Sequence, residues 1–161
     1  MFERQVCHQL RQRISEPRRF VQVLAGPRQT GKTTAARQVA RSADIPTHYA
    51  SADAPALKDR TWIEQQWEIA RIACRTGKGT QKSLLVLDEI QKIPGWSEVV
   101  KRLWDEDTAS ELCVHVVLLG SSPLLMQMGL SESLAGRFEI LPVTHWSLNE
   151  MHEAFAWELE Q

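Results

Sequence analysis

The residues best equipped for chemistry stand at 26–33, which read G-P-R-Q-T-G-K-T. Two glycines at this spacing let the backbone turn sharply and approach a ligand where a Cβ would obstruct. Lys32 adds a mobile ammonium and Thr33 a hydroxyl. The apolar residues 20–25 before them are expected to form a buried strand, and residues 34–41 after them a helix. A helix N-terminus carries unpaired N–H groups and a partial positive charge, both of which a phosphate satisfies. The expected nucleotide-binding residues are therefore Gly26, Pro27, Arg28, Gln29, Thr30, Gly31, Lys32, Thr33 and Thr34. Lys32 would reach the outer phosphates, and the Thr33 hydroxyl would bind Mg²⁺.

A second stretch, Leu84-Leu85-Val86-Leu87-Asp88-Glu89, is an apolar run ending in two carboxylates. Such a run suits a strand buried on both faces of a parallel sheet. Ligands of open parallel sheets bind at the C-terminal strand ends, so Asp88 and Glu89 should lie beside the glycine turn. Asp88 would hold Mg²⁺ through a water, and Glu89 would polarise an attacking water as general base. A third apolar run, residues 112–119, ends at Gly120-Ser121-Ser122. Ser121 would stand between the carboxylates and the turn, within reach of a γ-phosphate or the attacking water. Arg137 falls between a short helical piece at 132–135 and a fifth strand at 138–143. Projecting there, it could reach a neighbouring subunit's γ-phosphate, or simply cap the surface.

The elements that position these groups follow from apolar periodicity. Phe2, Val6 and Leu10 predict a helix over residues 2–13, with Arg4, Gln9, Arg11 and Gln12 on a solvated face. Residues 47–51 predict a second strand. Residues 61–75 predict a helix with Ile63, Trp67, Ala70 and Cys74 inward, capped by Thr61 with Glu64. Gly77-Lys78-Gly79-Thr80 is a loop with no strand before it, which argues against a second phosphate site. Residues 90–95 leave the carboxylates as a loop, and Trp96, Val99, Val100 and Leu103 predict the next helix. A short helix at 124–128 is expected to stop at Gly129. Ser147 and Glu150 form a capping box ahead of a helical face of Leu148, Met151, Phe155 and Leu159. That helix still runs at Gln161, which leads us to expect a shortened form of a longer chain.

Composition narrows the classes. The 161 residues suit one domain, and 43% hydrophobic residues suffice for a core. A net charge of −1 shows no overall nucleic-acid footprint; Arg11, Arg13, Arg18 and Arg19 are the only hint of a basic patch. No apolar run approaches the roughly 20 residues of a membrane span, and no signal peptide opens the chain. Cys7, Cys74 and Cys113 lack disulfide or metal spacing. A reducing, cytoplasmic location is the expectation. The histidines lack metal spacing too, and His115 reads as a packed core residue. Most of the six tryptophans are expected in packing.

Strands alternating with helices predict an α/β fold with a five-stranded parallel sheet and helices on both faces. The segments GPRQTGKTT, LLVLDEIQKIPGW and LLGSSPLLMQMGLSESLAGRFEI resemble the AAA-type ATPase domain of a bacterial and archaeal family that pairs it with a C-terminal domain of unknown function. The resemblance covers nearly the whole chain. It implies a P-loop NTPase sandwich of sheet order 5-1-4-3-2, ATP and Mg²⁺ as cofactors, Lys32 and Thr33 as the Walker A pair, and Asp88 and Glu89 as the Walker B pair. It implies Ser121 as a sensor-type residue and Arg137 as a candidate arginine finger across a homo-oligomer. Residues 1–161 would be one ATP-binding domain, with 1–17 an N-terminal helix and 145–161 the start of a truncated extension. Any helical lid, and with it full enclosure of the adenine, would be missing. Two functions remain open: an ATPase, or a nucleotide-gated interaction module with little hydrolysis. A GTPase would need N-K-x-D, which does not occur. A kinase would use the same loop but usually needs a lid of arginines and has no use for the Asp-Glu pair.

Overall fold

The computed structural model describes residues 2–53, 58–76, 81–121, 129–130 and 134–155. Its elements in chain order are α1 (Gln5–Ser15), β1 (Val21–Ala25), α2 (Lys32–Ser42), β2 (Thr47–Ser51), α3 (Arg60–Thr76) and β3 (Lys82–Asp88). A 3-10 turn (Ile90–Lys92), α4 (Trp96–Ala109), β4 (Cys113–Gly120), β5 (Phe138–Pro142) and α5 (Leu148–Phe155) follow.

The strands form one all-parallel sheet in the order β2-β3-β4-β1-β5. Read from the other edge this is the expected 5-1-4-3-2. Side chains alternate across a strand, so each central strand feeds two cores. Val21 and Val23 of β1 join Leu85, Leu87 and Leu118 under α3 and α4. Leu24 of β1 joins Leu84, Val86 and Leu119 under α1 and α2. The helical stripe Ile63, Trp67, Ala70 and Cys74 is buried as its spacing predicts. Asp107 locks α3 to α4 by accepting from Trp67 Nε1 and Arg71 Nε, each at 2.7 Å. Burial pushes the Asp107 carboxyl up, against these donors, which hold it down.

Several boundaries differ from expectation. Helix α1 begins at Gln5, not at residue 2; Phe2 stacks instead on Trp146, with ring centroids 5.6 Å apart. Arg4 is not solvated but 7% exposed. The cap of α3 is Asp59, whose Oδ1 accepts from Trp62 N at 3.3 Å. Thr61 lies within the helix, and Glu64 pairs with Arg102. The capping box is as expected, with Ser147 N donating to Glu150 at 2.9 Å and Glu150 N to Ser147 Oγ at 3.1 Å. Gly129 does not end a helix; it is helical together with Leu130, and a Cβ there would meet the Trp96 ring at 2.5 Å. The loop at 77–80, the helix expected at 124–128 and Leu159 lie outside the described residues. No helix among the described residues is long and apolar enough to cross a membrane.

Candidate nucleotide-binding site

Strand β1 delivers the glycine turn to the C-terminal end of the sheet. Gly26 passes under the chain leaving β5, where a Cβ would stand 1.9 Å from the Val143 carbonyl oxygen. Gly31 has φ of 87° and starts α2, a conformation that L side chains resist. Thr30 Oγ1 donates to the Pro27 carbonyl at 2.9 Å and stiffens the loop.

Lys32 is 7% exposed. Its ammonium donates to the Gly26 and Pro27 carbonyls at 2.7 and 2.5 Å. Burial holds its pKa below the usual lysine value, and the charges of Glu89 and Asp88 oppose that shift. Thr33 Oγ1 donates to Asp88 Oδ2 at 2.8 Å. The expected meeting of loop and carboxylate strand is therefore direct, although β4 separates β3 from β1 in the sheet. Ser121, at the end of that intervening strand, donates to Glu89 Oε2 at 2.9 Å. The loop, Asp53, Glu89 and Ser121 line one cleft of about 280 Å³.

Arg137 stands elsewhere. Its carbonyl accepts from Val21 N, at the N-terminal end of β1 and β5, so it lies at the opposite end of the sheet from this chain's own glycine turn. Its guanidinium grips Asp105 with bonds of 2.8 and 3.1 Å. The basic residues near the N-terminus also have acceptors or rings within the chain. Arg11 binds Glu3, Arg13 binds Glu139, and Arg18 covers Trp104 at 3.4 Å from its centroid.

Three neighbours of these residues escaped the sequence. Tyr49 of β2 donates to Asp88 Oδ2 at 2.5 Å. Burial first, then the bond to Asp88, push its phenol up to about 12. Gln91 donates to Glu89 Oε2 at 2.9 Å. Arg4 donates to the Thr30 carbonyl at 2.5 Å, to the Thr144 carbonyl at 3.1 Å and to both Glu150 oxygens at 3.1 Å. Arg4 thereby ties the glycine turn to α5. A second, aromatic cleft of about 310 Å³ adjoins the first and shares Gly31 and Thr34 with it. Phe2, Trp146 and Phe155 form its walls, Trp146 standing 5.6 Å from each of the other two rings.

Among the described residues no cluster of three or more His, Cys, Asp or Glu side chains could enclose a metal. The Thr33 hydroxyl beside the Asp88 carboxylate fits a cation whose remaining ligands are phosphates and water.

An all-parallel sheet, a glycine turn entering a helix, and carboxylates brought from a strand two places away define a P-loop NTPase-type domain. The chain belongs to the AAA-domain family, whose model matches residues 18–152. It is similar to an uncharacterized protein of Mycobacterium tuberculosis and to one of Mycobacterium bovis, at 32% identity to each over 139 residues. That match covers 84% of this chain and 27% of each relative, so the chain spans about a quarter of their length.

Proposed function

We propose that this domain binds ATP with Mg²⁺ and hydrolyses it. The observation that carries the proposal is the cleft that Lys32, Thr33 and Glu89 line together, with Thr33 bonded to Asp88. Lys32 would leave the loop carbonyls for the β- and γ-phosphates. Thr33 and Asp88 would hold Mg²⁺, which when bound neutralises charge on those phosphates. Glu89 would take the proton of a water as its oxygen attacks the γ-phosphorus, ADP leaving as the bond to its β-phosphate oxygen breaks. Ser121 would keep Glu89 aimed. The aromatic cleft would seat the adenine, since a base there lies beside the helix start that holds its phosphates. Arg137 is proposed to act, if at all, in a neighbouring subunit of a homo-oligomer. The extra length of the relatives is where we place the paired C-terminal domain, and a cytoplasmic setting is our proposal for the whole.

A nucleotide-gated module with slow turnover is the second proposal. It is favoured by the Lys32 ammonium, which phosphate must pull from two carbonyls. Steady-state phosphate release decides between them. An ATPase loses turnover in both Lys32→Ala and Glu89→Gln, while Glu89→Gln keeps nucleotide affinity. A gated module binds ATP through Lys32 with little turnover to lose. The adenine seat has its own assay: ATP should bind at least about tenfold more tightly than tripolyphosphate, and Trp146→Ala should erase most of that advantage. Lys32→Ala should weaken both ligands. Concentration-independent activity per subunit would remove Arg137 from the catalytic scheme.

A further inference from the structure

Gln91 is 8% exposed, in the 3-10 turn that follows Glu89. Glu89 has φ of 54°, a region that non-glycine residues seldom occupy. This kink and the turn bring the Gln91 side chain back over the residue two places earlier. Its Nε2 donates to Glu89 Oε2 at 2.9 Å and approaches Ser121 Oγ at 3.5 Å. Ser121 donates to that same Oε2 at 2.9 Å. Lys92, itself paired with Asp53, stands 4.0 Å from it. All of these groups converge on one oxygen. The other, Oε1, accepts no hydrogen bond among the described residues, and the Glu89 side chain lines the phosphate cleft.

The Gln91 carbonyl end is the informative one. Oε1 of Gln91 is buried without a partner among the described residues. An unpaired buried acceptor destabilises the fold, and an apolar residue of similar size would avoid that cost. Turning the amide over would aim an oxygen at a carboxylate, so the N–H assignment follows from the chemistry. Filling space is therefore a poor account of a glutamine at this position; its donor is what the site uses.

We infer that Gln91 is a positioning residue for Glu89: its amide, with the Ser121 hydroxyl, pins one carboxylate oxygen and leaves the other aimed at the water to be activated. The inference rests on the ATPase proposal, and its test separates the two. Gln91→Leu removes the donor and relieves the unpaired carbonyl; Gln91→Met repeats the change with an unbranched side chain. The melting temperature should hold or rise. Affinity for a fluorescent ATP analogue should stay within about twofold and kcat should fall about tenfold or more, the pattern of an interaction used only in the transition state. A kcat within about twofold of wild type overturns the inference. So does a joint loss of affinity, kcat and melting temperature, which marks a structural role. A second readout needs no turnover. The melting shift caused by Gln91→Leu should differ by a degree or more between the wild-type and Glu89→Ala backgrounds, because contacting residues do not act additively. Additive shifts overturn the contact. If wild type releases no phosphate while the shifts are non-additive, the ATPase proposal fails and the Gln91–Glu89 pairing stands.

Discussion

Asp88 is held by two donors on a single oxygen, Thr33 from the loop and Tyr49 from the neighbouring strand. In the proposed Mg²⁺ complex Thr33 would turn to the cation, and Tyr49 would be the donor that remains. Tyr49→Phe should therefore lower stability by about 1 kcal/mol, the usual worth of one such bond, read by urea denaturation. It should also raise the Mg²⁺ concentration for half-maximal ATP binding several-fold; an unchanged Mg²⁺ titration would leave Tyr49 a packing residue. Glu89→Gln belongs to the same scale and, with Glu89 as the proposed base, should cost about a hundredfold or more in phosphate release. The meeting of Lys32, Thr33, Asp88 and Glu89 was legible because each sits in a contiguous motif at the C-terminal end of a parallel strand. Tyr49 was not, since its partner is 39 residues away in sequence. Gln91 was closer to hand, but a loop assignment carries no side-chain direction.

Among the elements, α5 and the segment before α1 hold one another. No described residue of α5 is buried; Leu148 and Phe155 are 65% and 56% exposed. Its polar attachment runs through Arg4, whose guanidinium serves Glu150 and two carbonyls at once, beside the packing of Phe155 on Trp146. Arg4→Ala would strand a partly buried carboxylate and two carbonyl oxygens. It should cost about 3 kcal/mol in urea denaturation and weaken ATP binding with it, because the Thr30 carbonyl belongs to the loop. A loss below about 1 kcal/mol would show that α5 holds without this tie. The Ser147–Glu150 capping box was readable because it is local. The cap of α3 was misplaced by two residues, since Asp59 and Thr61 are both good caps and only packing decides where the first turn begins.

For the whole molecule, a buried titratable group within the sheet sets one part of its response to pH. His115 lies in β4 and is 7% exposed. Burial first, then the charges of Lys82 and Arg18, lower its pKa to about 4. The unfolded chain binds that proton near pH 6.5, so the folded state is favoured in full above pH 6.5 and loses the contribution as pH falls to about 4. The loss should approach about 3 kcal/mol. His115→Gln should flatten stability between pH 6.5 and 4 in denaturation curves; an unchanged acid limb would show that carboxylates alone set it. The carboxyls of Glu139 and Glu150, held below their usual range by Arg13 and Arg4, act at lower pH.

The parallel α/β class, the glycine turn and the carboxylate pair were determined by the sequence alone. Two buried apolar runs and a motif of fixed spacing leave the backbone few alternatives. Tertiary structure alone decided what surrounds them. Strand order brings Tyr49 to Asp88 and sets Ser121 between loop and carboxylates. Chain closure brings Phe2 and Arg4 to Trp146 and Glu150, and the kink at Glu89 turns Gln91 back upon it. These are contacts of direction and distance between separate elements. Periodicity records which face of an element is buried but not which neighbour covers it.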